Sequence, residues 1–336
     1  MMTRKKWLPY LLKKLVIFLA SVLALSIIVF VVSRLSPGDP LVSYYGERTE
    51  KMSPAERQQT MERLGLNAPL TTQYVRWLEG ALRGEFGISY KYKQDVLDVI
   101  AARIGNTLLL GLPGFILTFV LALLLGIVCA WREDSWLDRI ISKVGTVLSC
   151  VPEFWLSLVL ILFFSVIWRL LPSSGAYTIG RENDIGDRIR HLILPMAVMI
   201  LSHLWYYAYM IRNKLLEEIR ADYVLLAKSK GLSRGQILFR HCLRGILPSY
   251  ISLMAISVPH ILGGTYIIET VFSYPGIGTL SYECARWKDY NMLMVLCMLT
   301  GALVMLGNMV GQIVSERIDP RVRGNETAGA MEVRKS

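Results

Sequence analysis

Three ionisable side chains stand in long apolar stretches of this chain: Glu153, His203 and His260. Each lies about twelve or thirteen residues into its stretch, near the middle of any helix formed there. A carboxylate at the centre of a bilayer costs about 2.5–3.5 kcal/mol or more unless it faces water or a partner. The three residues therefore suit the polar lining of a path through a membrane, where Glu153 would meet a substrate ammonium group or a cation. Interhelical hydrogen bonds are the alternative for all three.

Patterns typical of enzymes lack the structural context that they need. The stretch GLSRG at residues 231–235 matches the nucleophile-elbow pattern, but that elbow follows a strand, and here the preceding segment favours a helix. The sequence has no G-x-x-x-x-G-K-S/T loop for ATP and no H-E-x-x-H zinc motif. Its five cysteines have no C-x-x-C spacing, so neither a disulfide framework nor a zinc site is indicated. We expect no catalytic residue, metal site or cofactor in this chain.

The apolar residues, 53% of the 336 in the chain, come in blocks of about 20, which match the thickness of a bilayer. Lipid cannot satisfy free backbone groups, so such blocks cross it as helices. We therefore predict an all-α polytopic membrane protein. The predicted spans are residues 15–33, 107–130, 141–168, 191–211, 248–268 and 291–314. The first is long for a secretory signal and lacks a cleavage site, which favours an uncleaved helix.

The distribution of basic residues predicts the orientation. The N-terminus, the 131–143 loop, the 212–247 loop and the tail from residue 315 together carry 21 Lys and Arg, against 16 in the longer alternate segments. By the positive-inside rule both termini are cytoplasmic. The net charge of +11 then follows from topology, and no nucleic-acid partner is needed to explain it.

Four regions follow from these spans. Residues 1–34 form an N-terminal tail and the first helix, and residues 35–106 an extracytoplasmic helical cap. In that cap Ser53 and Pro54 are expected to start a helix that Gly65 ends. Residues 107–316 form a five-helix core with cytoplasmic helices at 217–246, and residues 317–336 form a cytoplasmic tail.

The basic stretch at residues 220–248 interrupts two apolar runs and favours helix. Gly231 suits the left-handed position that ends a helix, and Ser233 with Gln236 forms a capping box that starts another. Pro248 marks entry to the fifth span. Two short cytoplasmic helices are predicted, with an apolar docking face at helical spacing formed by Tyr223, Val224, Leu226 and Ala227. A solvated basic loop, required only by topology, is the alternative.

This stretch resembles the EAA loop of binding-protein-dependent ABC importer permeases, and most closely that of the dipeptide/oligopeptide/nickel branch, D-Y-V-x-x-A-x-x-K-G-L. The matching residues are Asp222, Tyr223, Val224, Ala227, Lys230, Gly231 and Leu232. Leu225 and Leu226 stand where the wider superfamily has Glu-Ala. The stretches SPGDP (36–40), GEFGISY (84–90), ETVFSYPGIGTL (269–280), KDY (288–290) and DPRVR (319–323) also resemble that branch.

The resemblance implies a type I, methionine-importer-like permease fold in a bacterial or archaeal cytoplasmic membrane. It also implies that the seven matching residues couple to ATPases. The implied partners are a second related permease forming a heterodimer, two ATPase subunits that bind the ATP, and an extracytoplasmic substrate-binding protein.

The implied substrate is a di- or oligopeptide, with nickel or a metal chelate as the alternative. A different class, an ion-coupled secondary transporter with Glu153 as proton carrier, would explain the six spans. It would leave the interrupting basic stretch unexplained.

Overall fold

The computed structural model describes residues 4–35 and 41–318; for residues 4–8, 43, 47, 259–264 and 315 it describes the backbone alone. The SPGDP and DPRVR stretches therefore lie outside the described residues. Within them, all regular structure is helical except for one isolated bridge between Ile88 and Asp95. The chain divides into two compact units, Met1–Thr107 with Pro275–Leu306, and Leu108–Tyr274 with Gly307–Ser336.

The helices follow one another in simple order. They are α1 (Arg4–Leu35), α2 (Val42–Tyr45), α3 (Pro54–Arg63), α4 (Leu70–Leu82), α5 (Val96–Trp131), α6 (Trp136–Ser149), α7 (Glu153–Leu160), α8 (Ile185–Ile219), α9 (Asp222–Ser229), α10 (Arg234–Gln236), α11 (Leu243–Val271), α12 (Ile277–Arg286) and α13 (Tyr290–Ile318). A 3₁₀ helix covers Gly46–Lys51, and π-helical segments cover Ile161–Ile167 after α7 and Ile237–Cys242 after α10.

Five of these helices are long and apolar enough to cross a membrane, and the pair α6 and α7 makes a sixth span if it counts as one. The predicted span 141–168 is wrong as a continuous helix, because the pair is bent by 102°. Pro152 stands at the N-cap of α7 in an extended conformation. A proline disfavours helical geometry in the residue before it and has no N–H to donate, so the helix stops there.

The first unit confirms the predicted cap helix. The Ser53 hydroxyl accepts from Glu56 N and the Glu56 carboxylate accepts from Ser53 N, a complete capping box at the start of α3. Gly65 follows that helix with φ of +67°, as its predicted stop requires. Aromatic packing joins α4 to α1, since the ring of Tyr74 lies 5.4 Å from that of Phe30.

A polar cluster in the same unit, here called the Asp289 clasp, ties the loop before α5 to α12 and α13. The Asp289 carboxylate is fully buried and accepts from Ser89 Oγ at 2.5 Å and Lys91 N at 3.1 Å. The Glu283 carboxylate accepts from Lys91 Nζ at 2.7 Å and from the Tyr92 hydroxyl. Every one of these contacts is internal, so the clasp stabilises the loop.

The second unit has its apolar core between α5, α8 and α11. The Phe119 ring lies 4.5 Å from the Tyr207 ring, and the Tyr250 hydroxyl donates to the Phe119 carbonyl at 3.1 Å. Gly126 lets α5 and α8 approach closely, because a Cβ there would stand 2.8 Å from Ile211 Cγ2. The short helix α9 packs against this densely packed core.

The segment between α7 and α8 is held by a buried carboxylate. Asp187 accepts from Thr178 N at 2.5 Å and from Thr178 Oγ1 at 2.9 Å. His191 Nδ1 donates to the Gly175 carbonyl at 3.1 Å, and its Nε2 lies 3.6 Å from Asp187 Oδ2. Two turns of α8 thus fix the loop that precedes it.

Candidate coupling helix and membrane carboxylate

The helix α9 begins and ends as its sequence predicts. Ala221 is extended at the N-cap, and Gly231 follows the helix with φ of +78°. Leu232 N donates to Ala227 O and Gly231 N to Lys228 O, the paired bonds of a Schellman motif. These two bonds satisfy carbonyl groups of the last turn and end α9 at a defined position.

The predicted capping box after α9 is also confirmed, but the second short helix is not a separate element. Gln236 N donates to Ser233 Oγ at 3.3 Å, and Ser233 N donates to Gln236 Oε1 at 2.9 Å. From Arg234 the helix runs on through the π-helical segment into α11, and Pro248 lies inside it. The prediction that Pro248 marks the start of the span was wrong, because membrane helices tolerate an internal proline.

The docking face predicted on α9 needs correction, because two of its four residues point inward. Val224 and Ala227 are only 1% and 6% exposed and pack in the core of their own unit. Leu225 and Leu226 are 62% and 58% exposed. A charge at Ala227 would therefore disturb the core rather than a docking surface.

The remaining predicted coupling residues are distributed around α9. Asp222, Lys230 and Gly231 are exposed, and Leu232 is half-buried. Tyr223 is exposed along its ring, and its hydroxyl donates to the Glu218 carboxylate. Partial burial of that hydroxyl and its bond to Glu218 raise the pKa of Tyr223, so it remains a donor.

Of the three membrane residues, the structure brings two together. Glu153 Oε1 lies 3.8 Å from His203 Nε2, and both side chains are largely buried. His203 Nδ1 donates to the Met199 carbonyl at 3.0 Å, so the Nε2 edge of its ring faces the carboxylate. Glu153 Oε2 is buried without a hydrogen-bond partner within the described part of the chain. The side chain of His260 lies outside the described residues.

Glu153 owes this position to the bend. It is the first residue of α7, directly after Pro152, rather than the middle of a continuous helix. A carboxylate in the first turn of a helix is stabilised by the unpaired amide groups there. The sequence placed Glu153 and His203 at similar depth but gave no sign that they would meet.

A cavity of about 220 Å³ lies between α6 and α8 and was not predicted from the sequence. Four small or polar residues of α6 line it at spacings of three and four: Ser142, Gly145, Thr146 and Ser149. Opposite them lie Trp205, Tyr206 and Tyr209 of α8, and the Trp205 indole N–H is buried without a partner among the described residues. That helical spacing was the signal available in the sequence.

The helices and this arrangement of polar groups define a multi-pass α-helical membrane protein with a short exposed helix between two spans. Residues 122–324 match the family described as binding-protein-dependent transport system inner membrane component, and residues 7–111 match the N-terminal family of such membrane components. The chain therefore belongs to the family of inner-membrane components of binding-protein-dependent transport systems. Its members are transport permeases and not enzymes, which confirms the expected class and membrane location.

The chain is similar along its length to curated relatives. It is 33% identical to the oligopeptide transport system permease protein AppB of Bacillus subtilis, over 93% of this chain and 98% of that one. It is 28% identical to the metal-staphylopine import system permease protein CntB of Staphylococcus aureus, over 94% and 98%. The inward-facing MetNI methionine ABC transporter matches with a TM-score of 0.55 and 18% identity, over 66% of this chain and 97% of that one. This confirms the predicted methionine-importer-like fold.

Proposed function

We propose that this chain is the permease subunit of an ATP-driven importer for di- or oligopeptides. It would work with a second related permease as a heterodimer, two ATPase subunits that bind the ATP, and an extracytoplasmic binding protein. Both termini are cytoplasmic in this proposal, with 35–106 as the external cap before the five-helix core of 107–316. Residues 1–34 and 317–336 are the N-terminal tail with its helix and the cytoplasmic tail.

The two faces of α9 carry the proposal. Val224 and Ala227 fix one face in the core of the second unit, and Leu225 and Leu226 present the other to a partner. A rigid element fixed at its base can transmit displacement between two states of a transporter. Asp222, Tyr223, Lys230, Gly231 and Leu232 then shape and delimit the ATPase-coupling surface.

Peptide is favoured over nickel or a metal chelate by two observations. A relative named for oligopeptides is 33% identical, while the one named for a metal chelate is 28% identical. Glu153 offers a partly unpaired carboxylate that suits the ammonium group of a peptide. In this proposal Glu153 and His203 line the path, and His260 joins them.

The coupling role is tested by replacing the exposed leucines. Leu225→Ser with Leu226→Ser should abolish co-purification of the ATPase subunits and reduce transport to background, while the chain remains folded. The matched control is Leu70→Ser with Leu82→Ser, two exposed leucines of α4. Undiminished ATPase association in the α9 variant would overturn the proposal.

The rival class, an ion-coupled secondary transporter, is tested with the chain alone. Reconstituted without ATPase subunits, it should not accumulate peptide when a proton gradient is applied. Accumulation driven by that gradient would refute ATP-driven import.

A further inference from the structure

A second cavity, of about 350 Å³, lies where α8, α9 and the start of α11 meet. It is lined by Glu218, Tyr223, Arg240, His241, Arg244 and Gly245. We propose that this cavity binds the phosphate headgroup of an anionic phospholipid. Of its lining residues only Tyr223 also belongs to the proposed coupling surface, and the membrane carboxylate is not among them.

The basic side chains of this cavity have no hydrogen-bond or ion-pair partner among the residues that the structure describes. Within the part of the chain that the structure describes, no hydrogen bond or ion pair reaches the side chains of Arg240, His241 or Arg244. The one carboxylate of the lining, Glu218, accepts from the Tyr223 hydroxyl instead. Two guanidinium groups thus face one cavity with a single, already engaged anion, and a phosphate would satisfy them bidentately.

The shape of the cavity depends on Gly245. A Cβ at that position would stand 2.7 Å from Glu218 Oε2, so the missing side chain makes room for the carboxylate at the cavity wall. A larger residue would push into this space. The cavity is therefore sensitive to volume as well as to charge.

The surroundings favour a lipid over a soluble anion. Arg240 and Arg244 lie near the start of the candidate span Arg234–Val258. Phe239 and Leu247 of the same helix are 59% and 50% exposed, which offers apolar contact for acyl chains beside the cations. Basic pockets at the cytoplasmic end of membrane helices are recognised sites for anionic headgroups.

Tyr223 gives the site a consequence for transport, and this second step rests on the proposed function. Tyr223 belongs to α9, and its hydroxyl is bonded to Glu218 in the cavity wall. A bound headgroup would attract the arginines and hold that wall together. Anionic lipid should therefore hold α9 more rigidly against α8 and α11. It should also raise the rate of ATP hydrolysis that is coupled to transport.

The binding step is tested on the full-length chain in neutral detergent, without ATPase subunits. Phosphatidylglycerol is the probe, its retention is measured by native mass spectrometry, and phosphatidylcholine is the neutral comparison. Arg240→Gln with Arg244→Gln should bind phosphatidylglycerol about 10- to 30-fold more weakly, since each surface arginine contributes about a tenfold or smaller factor. Gly245→Leu, which keeps every charge, should weaken it as well.

The matched control is Arg132→Gln with Arg139→Gln. Arg132 lies in the loop between α5 and α6, and Arg139 lies near the start of α6. Both are exposed, carry the same charge as the cavity arginines and do not line the cavity. Equal loss of phosphatidylglycerol in both double variants would reduce the effect to net charge and overturn the site. So would displacement of the lipid by inorganic phosphate alone at equal concentration.

The coupling step is tested in vesicles with the assembled transporter. Phosphatidylglycerol added to phosphatidylcholine should raise substrate-stimulated ATP hydrolysis in the wild type and the control, and not in the Arg240→Gln, Arg244→Gln variant. If that variant instead loses its ATPase subunits in detergent, the cavity is a protein contact and the lipid site is refuted. Failure of the proposed function would leave lipid retention by the isolated chain unchanged.

Discussion

Two carboxylate–histidine pairs of the same unit differ in how completely they are satisfied. Asp187 accepts two hydrogen bonds from Thr178 and faces His191, whose other nitrogen donates to the Gly175 carbonyl. Glu153 lies 3.8 Å from His203 and keeps one buried oxygen without a partner in the described residues. Both pairs join a carboxylate to a histidine, but every polar atom of the first carboxylate has a partner, whereas the second carboxylate keeps one oxygen without a partner among the described residues. The first pair is here called closed and the second open.

The difference teaches where to place function. A buried polar group without a partner costs free energy, so it persists where something else repays it. The closed pair orders a loop and needs nothing further. The open pair is complete only with water, a proton or a substrate group, which supports the role in the transport path that we propose for it.

The largest expected effect is on transport by Glu153→Gln. Hydrogen bonds to charged groups contribute about 1.5–3 kcal/mol, so loss of the carboxylate should reduce peptide uptake about 10- to 100-fold. Stability should hold, because the substitution removes a partly unpaired buried charge. Uptake into vesicles and thermal unfolding measure the two quantities, with Glu182→Gln in an exposed loop as control. Normal uptake would end the functional interpretation of the open pair.

The second prediction concerns stability and compares the histidines. His191→Leu should lower the free energy of unfolding by about 1–3 kcal/mol, since Asp187 and the Gly175 carbonyl lose a buried partner. His203→Leu should lower it less, because the Met199 carbonyl keeps its helical bond. Chemical denaturation in detergent compares the two matched variants. A larger loss in His203→Leu would reverse the assignment of closed and open.

The third prediction tests, by changing the substrate, whether Glu153 of the open pair contacts the peptide. If Glu153 meets a peptide ammonium group, acetylation of the peptide amino terminus should reduce uptake by the wild type about tenfold, or about 1.4 kcal/mol. The same acetylation should leave uptake by Glu153→Gln unchanged. Competition between free and acetylated peptides measures the ratio, and equal discrimination in both proteins would contradict the contact.

The smallest effect is expected at the Asp289 clasp, where the Glu283 carboxylate has partners but is partly exposed. Burial alone would raise the pKa of Glu283, but the bonds from Lys91 and Tyr92 and the nearby charges outweigh it and lower that pKa. Lys91→Gln should therefore cost about 0.2–1 kcal/mol at neutral pH. Because the folded pKa lies below its ordinary value of 4.5, this difference persists above 4.5 and shrinks as the pH falls further. Thermal unfolding over that range checks it, and a difference that grows in acid would contradict it.

Local signals in the sequence predicted where helices begin and end. The helix start at Ser53, the capping box at Ser233 and the stops at Gly65 and Gly231 depend only on residues a few positions apart. The family resemblance was likewise carried by ordered motifs. Both kinds of signal are written in neighbouring residues, so they survive without knowledge of packing.

The errors arose where tertiary packing decides. Pro152 stops a helix and Pro248 does not, although each is one proline in an apolar stretch. Val224 and Ala227 have the spacing expected of a docking face, but they are buried in the core of their unit. The meeting of Glu153 with His203 depends on how α7 packs against α8 after the bend at Pro152, and the two residues are fifty positions apart in the sequence.

The π-helical segment Ile237–Cys242 has a mechanical consequence. A π turn holds about one residue more than an α turn, and one residue of an α-helix corresponds to about 100° of rotation. If this segment changed from π to α geometry, the whole of α11 would rotate about its own axis by about 100°. A small displacement near Ser233 would then rotate the side chains of α11, and the helix would not have to tilt.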